Sequence, residues 1–420
     1  MKVLHVIPSM SSRSGGPGHA IIGMIGALQK RGLDILVAST DADIEKELDV
    51  KLGQPTTYKG VPAIFFAHQW SEAFKYSAPM SRWLDENVKA YDVVHIHGVF
   101  SHPCLMAARA CRRDGVPYIV RPLGMLDPWS MGQKPFRKRV FWHLGVEKML
   151  RGAAAIHYTA KPEMESAESS LKLKRGVVIP LGVEIEALPD ADAAQAFRAQ
   201  HPSLNGNPYV LLLSRLHPKK GVDLLLKAFL DLTKDGRFGE WKLVLAGEGP
   251  ESYVESLRRT VQQDGGHDRV LFPGWLEGIK KSSALQNASL LALPSHHENF
   301  GLCVMEALAC GIPVLISPYV NLAPEIEAAG VGWIVPLESV ALQEQLADAL
   351  GHEDERAHRG RAGQEFARRF TWREIALDLE RLYQSLVQQS LVQHRGEAVS
   401  NSGAVDSSGA GRDGKSASRL

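Results

Sequence analysis

One stretch in the C-terminal half, from Ser289 to Ile316, constrains the fold more than any other part of the sequence. Leu290–Leu293 is a short apolar run that ends at a proline, and Val314–Ile316 is a second one; both are typical of buried parallel strands. Between them, apolar residues recur at helical spacing until a glycine and a proline give a stop signal. The stretch therefore predicts a strand, a loop, a helix and a second parallel strand, which is an α/β unit.

The start of this predicted helix, near Phe300 and Gly301, is a candidate anion-binding site. Free backbone N–H groups and the positive end of the helix dipole would face the carboxyl edge of the sheet, where α/β sheets bind ligands. Glu298 precedes the helix and Glu306 lies one to two turns inside it. Hydroxyl groups flanking a negative centre, as in a nucleoside diphosphate sugar, would match this arrangement. A second interpretation needs no ligand: Glu298 is a helix-terminal acid and Glu306 a solvated surface acid. On spacing alone, the two interpretations are equally well supported.

Length and composition exclude several classes of protein. A chain of 420 residues favours two domains, and a net charge of +1 provides no large basic field for nucleic acid. No apolar run approaches the roughly 20 residues that a membrane-spanning helix needs, and the N-terminal apolar run is too short for a signal peptide. The cysteines form two pairs with a spacing that favours buried thiols, so a cytoplasmic protein is expected. The pairs are Cys104/Cys111 and Cys303/Cys310.

The N-terminal half opens with a predicted strand, Lys2–Ile7, a glycine-rich loop and a helix from His19 to Lys30. Gly15 and Gly16 in this loop would let the backbone approach a phosphate or sugar closely, although a flexible turn explains them as well. The glycine spacing is not that of a dinucleotide site. A later predicted strand ends at His97, where a ligand crevice is expected.

A basic and aromatic segment, predicted as one helix from Lys134 to Leu150, has two interpretations. Its charges are interleaved with Phe136, Phe141 and Trp142, and basic charge beside exposed aromatic rings would suit an anionic membrane surface. In the other interpretation the rings face the core and the charges face water. The second interpretation is favoured, with peripheral contact at the inner face of the membrane as the alternative.

After a predicted hinge at Pro180–Val183, the alternation of strands and helices restarts at Tyr209. Arg215 and Lys220 flank the first strand-to-helix turn, where they could bind phosphate oxygens beside a helix N-terminus. Gly249 and Trp275 lie in loops that follow the next two predicted strands, and both could form walls for a base.

The residues around the two glutamates carry a family resemblance. Three short segments together resemble the Glu-x7-Glu signature of retaining glycosyltransferases of family 4. They are Glu298-Asn299-Phe300-Gly301, Glu306-Ala307 and Cys310-Gly311-Ile312-Pro313-Val314. The likeness is to the type that acts in bacterial polysaccharide biosynthesis, and it covers roughly residues 1 to 390. It implies the GT-B fold, in which two doubly wound, Rossmann-like α/β domains face each other across a cleft.

The resemblance also implies a domain plan. Residues 1–183 would bind the acceptor and residues 184–370 the nucleotide-sugar donor, while a helix over 371–395 would return to the N-terminal domain. Residues 396–420 are rich in serine, glycine and charge, so a disordered tail is expected there.

The activity implied is transfer of a sugar, with retention of configuration, from a nucleoside diphosphate sugar to a hydroxyl of a carbohydrate or lipid-linked acceptor. The resemblance implies catalytic roles for four residues: Arg215, Lys220, Glu298 and His97, the last against the donor sugar. Others would bind the donor: Glu306 the ribose, Gly249 and Trp275 the base, Asn299, Phe300, Gly301 and Leu302 the sugar, and Gly15 and Gly16 the diphosphate or acceptor.

Neither a cofactor nor a metal is expected. The sequence Asp41-Ala42-Asp43 is assigned to a polar segment rather than to a strand-end loop, so Arg215, Lys220 and the helix dipole would stabilise the leaving diphosphate. A sugar-nucleotide epimerase, a phosphorylase or a non-catalytic sugar-nucleotide-binding module would share the architecture. The donor base and sugar, the acceptor and the oligomeric state stay open.

Overall fold

The computed structural model describes residues 1–403 except 12–14, 44–46, 70–73, 185–190, 205, 235 and 237, with the backbone alone for 191–194 and 393–403. The first of its two sheets has eight strands. These are β1 Lys2–Ser9, β2 Asp34–Thr40, β3 Pro55–Tyr58, β4 Val61–Phe66, β5 Val93–His97, β6 Tyr118–Arg121, β7 Ala155–Tyr158 and β8 Gly176–Val178. Their order is β3-β4-β2-β1-β5-β6-β7-β8, and every pair except β3–β4 is parallel.

Helices cover both faces of this first sheet. They are α1 Gly16–Lys30, α2 Ala78–Asn87, α3 His102–Asp114, α4 Pro128–Gly132, α5 Pro135–Phe141, α6 Glu147–Gly152 and α7 Lys161–Leu171. Because successive strand residues point to opposite faces, Val94 and Ile96 pack with α2 and α3, whereas Val93 packs on the side of α1.

The second sheet has six strands, all paired in parallel, in the order β11-β10-β9-β12-β13-β14. They are β9 Tyr209–Leu213, β10 Lys242–Ala246, β11 Val270–Gly274, β12 Leu290–Leu293, β13 Val314–Ile316 and β14 Gly332–Ile334. The helices beside them are α8 Ala191–Gln200, α9 Val222–Thr233, α10 Glu251–Gln263, α11 Gly278–Gln286, α12 Leu302–Ala309, α13 Ala323–Ala329, α14 Ser339–Gly351 and α15 Glu353–Ala367. One face packs on α11, α12 and α15 and the other on α9 and α14. The prediction of two doubly wound α/β units is confirmed.

The chain passes between the two units twice, and the two passages lie side by side. Val183 and Thr371 form a parallel bridge, and the Val183 N–H donates to the carbonyl of Phe370 at 2.7 Å. The indole of Trp372 fills the space beside Gly182 and Gly23, since a Cβ at either glycine would lie 2.3 Å from an indole atom. A side chain at either position would therefore displace the tryptophan.

The last helix, α16 Trp372–Gly403, lies on the first sheet rather than on the second. Ile375, Leu379 and Tyr383 are buried there together with residues of β1 and α1. The helix runs past the predicted start of the tail at residue 396, because no proline and only one glycine interrupt residues 390–402. Residues 404–420, the rest of the predicted tail, lie outside the described residues.

The single helix predicted from Lys134 to Leu150 is wrong. The structure has α5, a π-helical turn at Trp142–Val146 in which Gly145 leaves the helical conformation, and then α6. Glycine has low helix propensity, which explains the position of the break. Among the described residues, every helix is too short or too polar to cross a membrane.

Candidate active site

Two loops at the carboxyl edge of the second sheet form the base of the candidate site. The turn between β9 and α9 contains Gly221, whose φ of +63° falls in the left-handed region. A Cβ at this position would lie 2.0 Å from the carbonyl oxygen of Pro294 in the loop after β12. The two loops also share a backbone hydrogen bond, from the His296 N–H to the Lys219 carbonyl at 2.8 Å. This packing holds the turn of Arg215 and Lys220 against the loop of Glu298.

Lys220 and Glu298 form an ion pair whose side chains are only 14% and 19% exposed. Desolvation acts to raise the pKa of Glu298, but the charges of Lys220 and Lys219 outweigh it, so the pKa of this carboxyl is lowered. A Glu298 carboxylate oxygen also accepts from the Asn299 N–H at 3.0 Å. Glu298 is therefore an ionised carboxylate fixed at the mouth of α12.

The N-terminus of α12 opens beside this pair. Gly301 precedes the helix with a φ of +75°, and Leu302 begins it. Further along the same helix, the Glu306 carboxylate accepts a hydrogen bond from Lys281 of α11 at 2.7 Å. Two carboxylates, two lysines and the free amides of a helix start thus lie along one short helix, an arrangement suited to an anion with hydroxyl-bearing groups on either side.

The first unit closes over this edge at the start of α1. A Cβ on Gly15 would lie 3.8 Å from Nε of Arg215, and one on Gly16 would lie 3.4 Å from Cδ1 of Leu302. Burial and the charge of Lys281 lower the pKa of His19, one turn into α1. The glycine-rich loop and the loops after β9 and β12 therefore line opposite sides of one cleft.

A second contact between the units involves the loop after β6. Asp127 lies 3.4 Å from Nδ1 of His297, and the Trp129 indole stacks on the His297 ring with centroids 6.0 Å apart. Nζ of Lys219 lies 4.3 Å from the centroid of the same indole. Burial lowers the pKa of Lys219 to about 8, although Glu298 acts in the opposite direction. The segment after β6 thus contacts the loops after β9 and β12 directly.

Both halves of the chain match family models. Residues 15–182 match the glycosyl transferase 4-like domain, and residues 194–366 match glycosyl transferases group 1. The chain belongs to glycosyltransferase family 4. The enzyme class expected from the sequence is confirmed, because relatives along most of the chain are named glycosyltransferases.

Two of these relatives span nearly the whole transferase. A phosphatidyl-myo-inositol mannosyltransferase of Mycobacterium leprae is 27% identical over 92% of this chain and 97% of its own. A GDP-mannose:cellobiosyl-diphosphopolyprenol alpha-mannosyltransferase of Xanthomonas oryzae is 23% identical over 89% of this chain and 94% of its own.

Solved structures confirm the GT-B fold. HepE of Anabaena, in complex with UDP and glucose, is 22% identical with a TM-score of 0.74, over 92% of this chain and 100% of its own. WaaG, a glycosyltransferase involved in lipopolysaccharide biosynthesis, is 16% identical with a TM-score of 0.70, over 91% of this chain and 99% of its own. At these identities the likeness establishes the fold alone.

The transferase brings most of the predicted site residues to one cleft: Gly15, Gly16, Arg215, Lys220, Glu298, Asn299, Gly301, Leu302 and Glu306. The ring of Phe300 is buried in the core, so its backbone alone is available to a ligand. Gly249 lies against the loop after β9, since a Cβ there would be 1.8 Å from the Leu216 carbonyl oxygen. Trp275 is partly buried directly after β11, and its Nε1 has no hydrogen-bond partner.

His97 requires a correction, because its side chain has no exposed surface. Its Nε2 lies 3.0 Å from Nδ1 of His5, and its ring stacks on His95 with centroids 4.3 Å apart. Arg121 lies 3.5 Å from its Nδ1. Burial, together with His5 and Arg121, keeps the pKa of His97 well below its usual value. In this structure His97 is a neutral member of a buried histidine cluster rather than a ligand of the donor sugar.

The position of Asp41 and Asp43 also differs from the expectation. Strand β2 extends to Thr40, so the pair directly follows a strand end in the first unit. Asp41 accepts hydrogen bonds from the His68 backbone at 2.9 Å and from its ring at 2.7 Å. Among the described residues, two groups place three potential metal ligands close together: Asp41, Glu47 and His68, and His5, His95 and His97. Internal hydrogen bonds link members of each group.

Lys281, Lys219 and His297 were not found by sequence reasoning. Lys281 pairs with Glu306, and the other two form the contact with Trp129. A lysine in a helix and a histidine in a loop carry no specific signal, and these three acquire a role only when distant segments meet.

Proposed function

We propose that the transferase uses a nucleoside diphosphate sugar as its donor. One observation carries the proposal: Arg215, Lys220, Glu298, Glu306 and the start of α12 converge at one sheet edge. The diphosphate would lie against Arg215, Lys220 and the helix amides, with its two negative charges held by fixed positive groups. Glu306 would accept hydrogen bonds from the ribose hydroxyls.

In this mechanism the acceptor hydroxyl attacks the anomeric carbon from the face that the diphosphate leaves, so configuration is retained. The bond between the anomeric carbon and the diphosphate oxygen breaks as the new glycosidic bond forms, and the hydroxyl proton passes to the departing diphosphate oxygen on the same face. Arg215 and Lys220 stabilise the negative charge that develops on the leaving diphosphate, and no metal is needed for this task. Glu298, held by Lys220 and the Asn299 amide, orients the donor sugar together with the backbone from Asn299 to Leu302.

The names of similar proteins support a nucleotide donor and leave its base open. HepE was solved with UDP and with UDP-glucose, whereas the Xanthomonas relative is named for GDP-mannose. An epimerase or a non-catalytic binding module of the same fold is less well supported, since the relatives that span the chain are named as transferases.

A panel of UDP-, GDP- and ADP-sugars tests the donor proposal by thermal stabilisation. A ligand at 100 times its Kd stabilises the folded state by about 2.7 kcal/mol, so one base should produce a clear rise in Tm. The stabilising donor is then assayed for transfer to carbohydrate acceptors, with donor alone as the control. Absence of stabilisation by every nucleotide sugar would overturn the proposal, and product release without any acceptor would favour an epimerase or hydrolase.

We further propose that the acceptor is a carbohydrate carried on a lipid, and that the transferase rests on a membrane surface to reach it. The support is an apolar and basic patch in which Phe136, Val140 and Leu144 are 79%, 42% and 72% exposed. Phe141 and Trp142 are partly buried against the core, so the expectation that the aromatic rings face inward is wrong for Phe136 alone. Exposed basic residues flank the patch: Lys134, Arg137 and Arg139.

We expect more of the protein to sediment with anionic than with neutral vesicles at low salt. Each basic residue near an anionic surface contributes about 1 kcal/mol, and the exposed apolar side chains add burial of apolar area. Serine at both Phe136 and Leu144 should reduce sedimentation, whereas serine at Val340, 66% exposed on the other unit, should not. Equal sedimentation with both kinds of vesicle would remove the membrane proposal without affecting the donor site.

A further inference from the structure

A second cavity lies in the first unit, at the edge of the sheet opposite to the cleft. Its volume is about 510 Å³, within the range of small-molecule sites. It is lined by the start of β6, by residues just before β7 and by the C-terminal half of α16. Because parallel strands end at the opposite edge, this cavity is separate from the site formed by Arg215, Glu298 and Glu306.

The charge of this cavity is positive. Arg112 and Arg175 both line it, and no acidic residue does among those described. An adjoining hollow of about 510 Å³ shares Arg112 and adds Lys148 and Arg151. The one acid that lines this hollow, Glu147, accepts a hydrogen bond from Arg151 at 2.9 Å. The two arginines of the first cavity are therefore not neutralised by a carboxylate on its wall.

Arg112 has hydrogen-bonding capacity that the protein does not use. Its Nη1 is buried without a hydrogen-bond partner, although buried guanidinium donors are normally paired. Arg175 uses Nη1 to donate to the Ala153 carbonyl at 3.0 Å, which fixes its guanidinium at the cavity wall. Two guanidinium groups presented to one cavity are the arrangement that proteins use for phosphate oxygens.

We propose that this cavity binds a phosphorylated ligand, whose phosphate accepts hydrogen bonds from Arg112 and Arg175. The ligand is either a soluble phosphate monoester or the phosphate of a lipid headgroup, which present the same oxygens. Leu386 and Gln389 of α16 form part of the wall, so an occupied cavity links this helix to the first sheet. Ligand binding thereby stabilises the packing of α16, and the proposal does not depend on the donor site.

Isothermal titration calorimetry tests the proposal with inorganic phosphate, glycerol 3-phosphate and dihexanoyl phosphatidylglycerol. Each titration is made with and without nucleoside diphosphate, so that binding at the donor site proposed above is distinguished from binding that depends on Arg112 and Arg175. We expect saturable binding of at least one of these probes, weakened at least about tenfold by R112Q combined with R175Q, because two charge-assisted contacts are lost. Tighter binding of glycerol 3-phosphate would identify a soluble monoester, and tighter binding of the lipid would identify a headgroup.

A matched pair of variants on α16 keeps the test decisive if the arginine variant fails to fold. Gln389 lines the cavity and Gln388 does not, yet both are exposed and adjacent. Q389E places a negative charge beside the bound phosphate and should weaken binding several-fold, whereas Q388E should leave it unchanged. No saturable binding of any probe to the wild type, or equal weakening by Q389E and Q388E, would overturn the proposal.

Discussion

Alanine at Arg215 or at Lys220 should lower kcat of the transferase by roughly 10²–10³-fold, the scale of a removed charge-stabilising group. Arg215 faces the glycine-rich loop across the cleft, and Lys220 lies within ion-pair distance of Glu298 at the mouth of α12. Negative charge on the leaving diphosphate increases in the transition state, so the loss should fall mainly on kcat rather than on KM. Steady-state rates at saturating donor and acceptor measure it.

Lys227→Ala is the matched control for the lysine, because Lys227 is exposed on α9 and its partner Asp231 is a surface acid. Its kcat should equal that of the wild type. Lys220→Ala leaves the Glu298 carboxylate without its main partner, so the Tm of each variant is measured to separate unfolding from lost catalysis. Adding Glu298→Gln should restore Tm without restoring kcat.

Removal of divalent metal ions with EDTA provides a result that could contradict the same prediction. If Arg215 and Lys220 supply the positive charge, the rate should persist in EDTA. Loss of all activity in EDTA, with recovery on addition of Mn²⁺ or Mg²⁺, would show that a metal performs this task and that the two residues have another role.

The second large effect is expected at Glu306. Glu306→Ala should weaken binding of the free nucleoside diphosphate by about 1.5–3 kcal/mol, because charge-assisted hydrogen bonds to the ribose are lost. The ribose is held in the ground state and in the transition state alike, so KM and Kd should rise together. Calorimetric titration of the nucleoside diphosphate measures the change directly.

Two controls separate a ribose contact from a change in local charge. Glu306→Ala also frees Lys281, which donates to Glu306 at 2.7 Å, so Lys281→Ala and the double variant are measured beside it. Glu327→Ala changes an exposed acid on α13 and should leave binding unchanged. Nucleotide affinity equal to that of the wild type in Glu306→Ala would show that Glu306 is not the ribose ligand.

The sequence predicted the second unit most accurately because its signals are local. The apolar runs Leu290–Leu293 and Val314–Ile316 are the bounds of β12 and β13, and the helix between them begins at Leu302, directly after the predicted start near Phe300 and Gly301. Strand, loop and helix of such a unit are set by residues a few positions apart. The contact of Arg215 with the glycine-rich loop was not predicted, although each of them follows a strand end, where ligand sites form.

Features that depend on distant segments could not be predicted in this way. His97 ends a strand, as expected, but its burial depends on His5 from β1 and on α16. The pairing of Lys281 with Glu306 requires α11 to pack beside α12. The helix break at Gly145 and the exposure of Phe136 are both concealed by a periodic pattern of charges and rings.

The position of α16 has a consequence for the order in which a growing chain becomes native. One face of the first sheet, with its buried histidines, is completed by Ile375, Leu379, Tyr383 and Leu386, and Tyr383 lies 2.8 Å from Nδ1 of His95. During synthesis these residues leave the ribosome after every strand of the second sheet. The second unit can therefore complete its core first, although it is synthesised later. The first unit cannot complete its core until α16 has been synthesised.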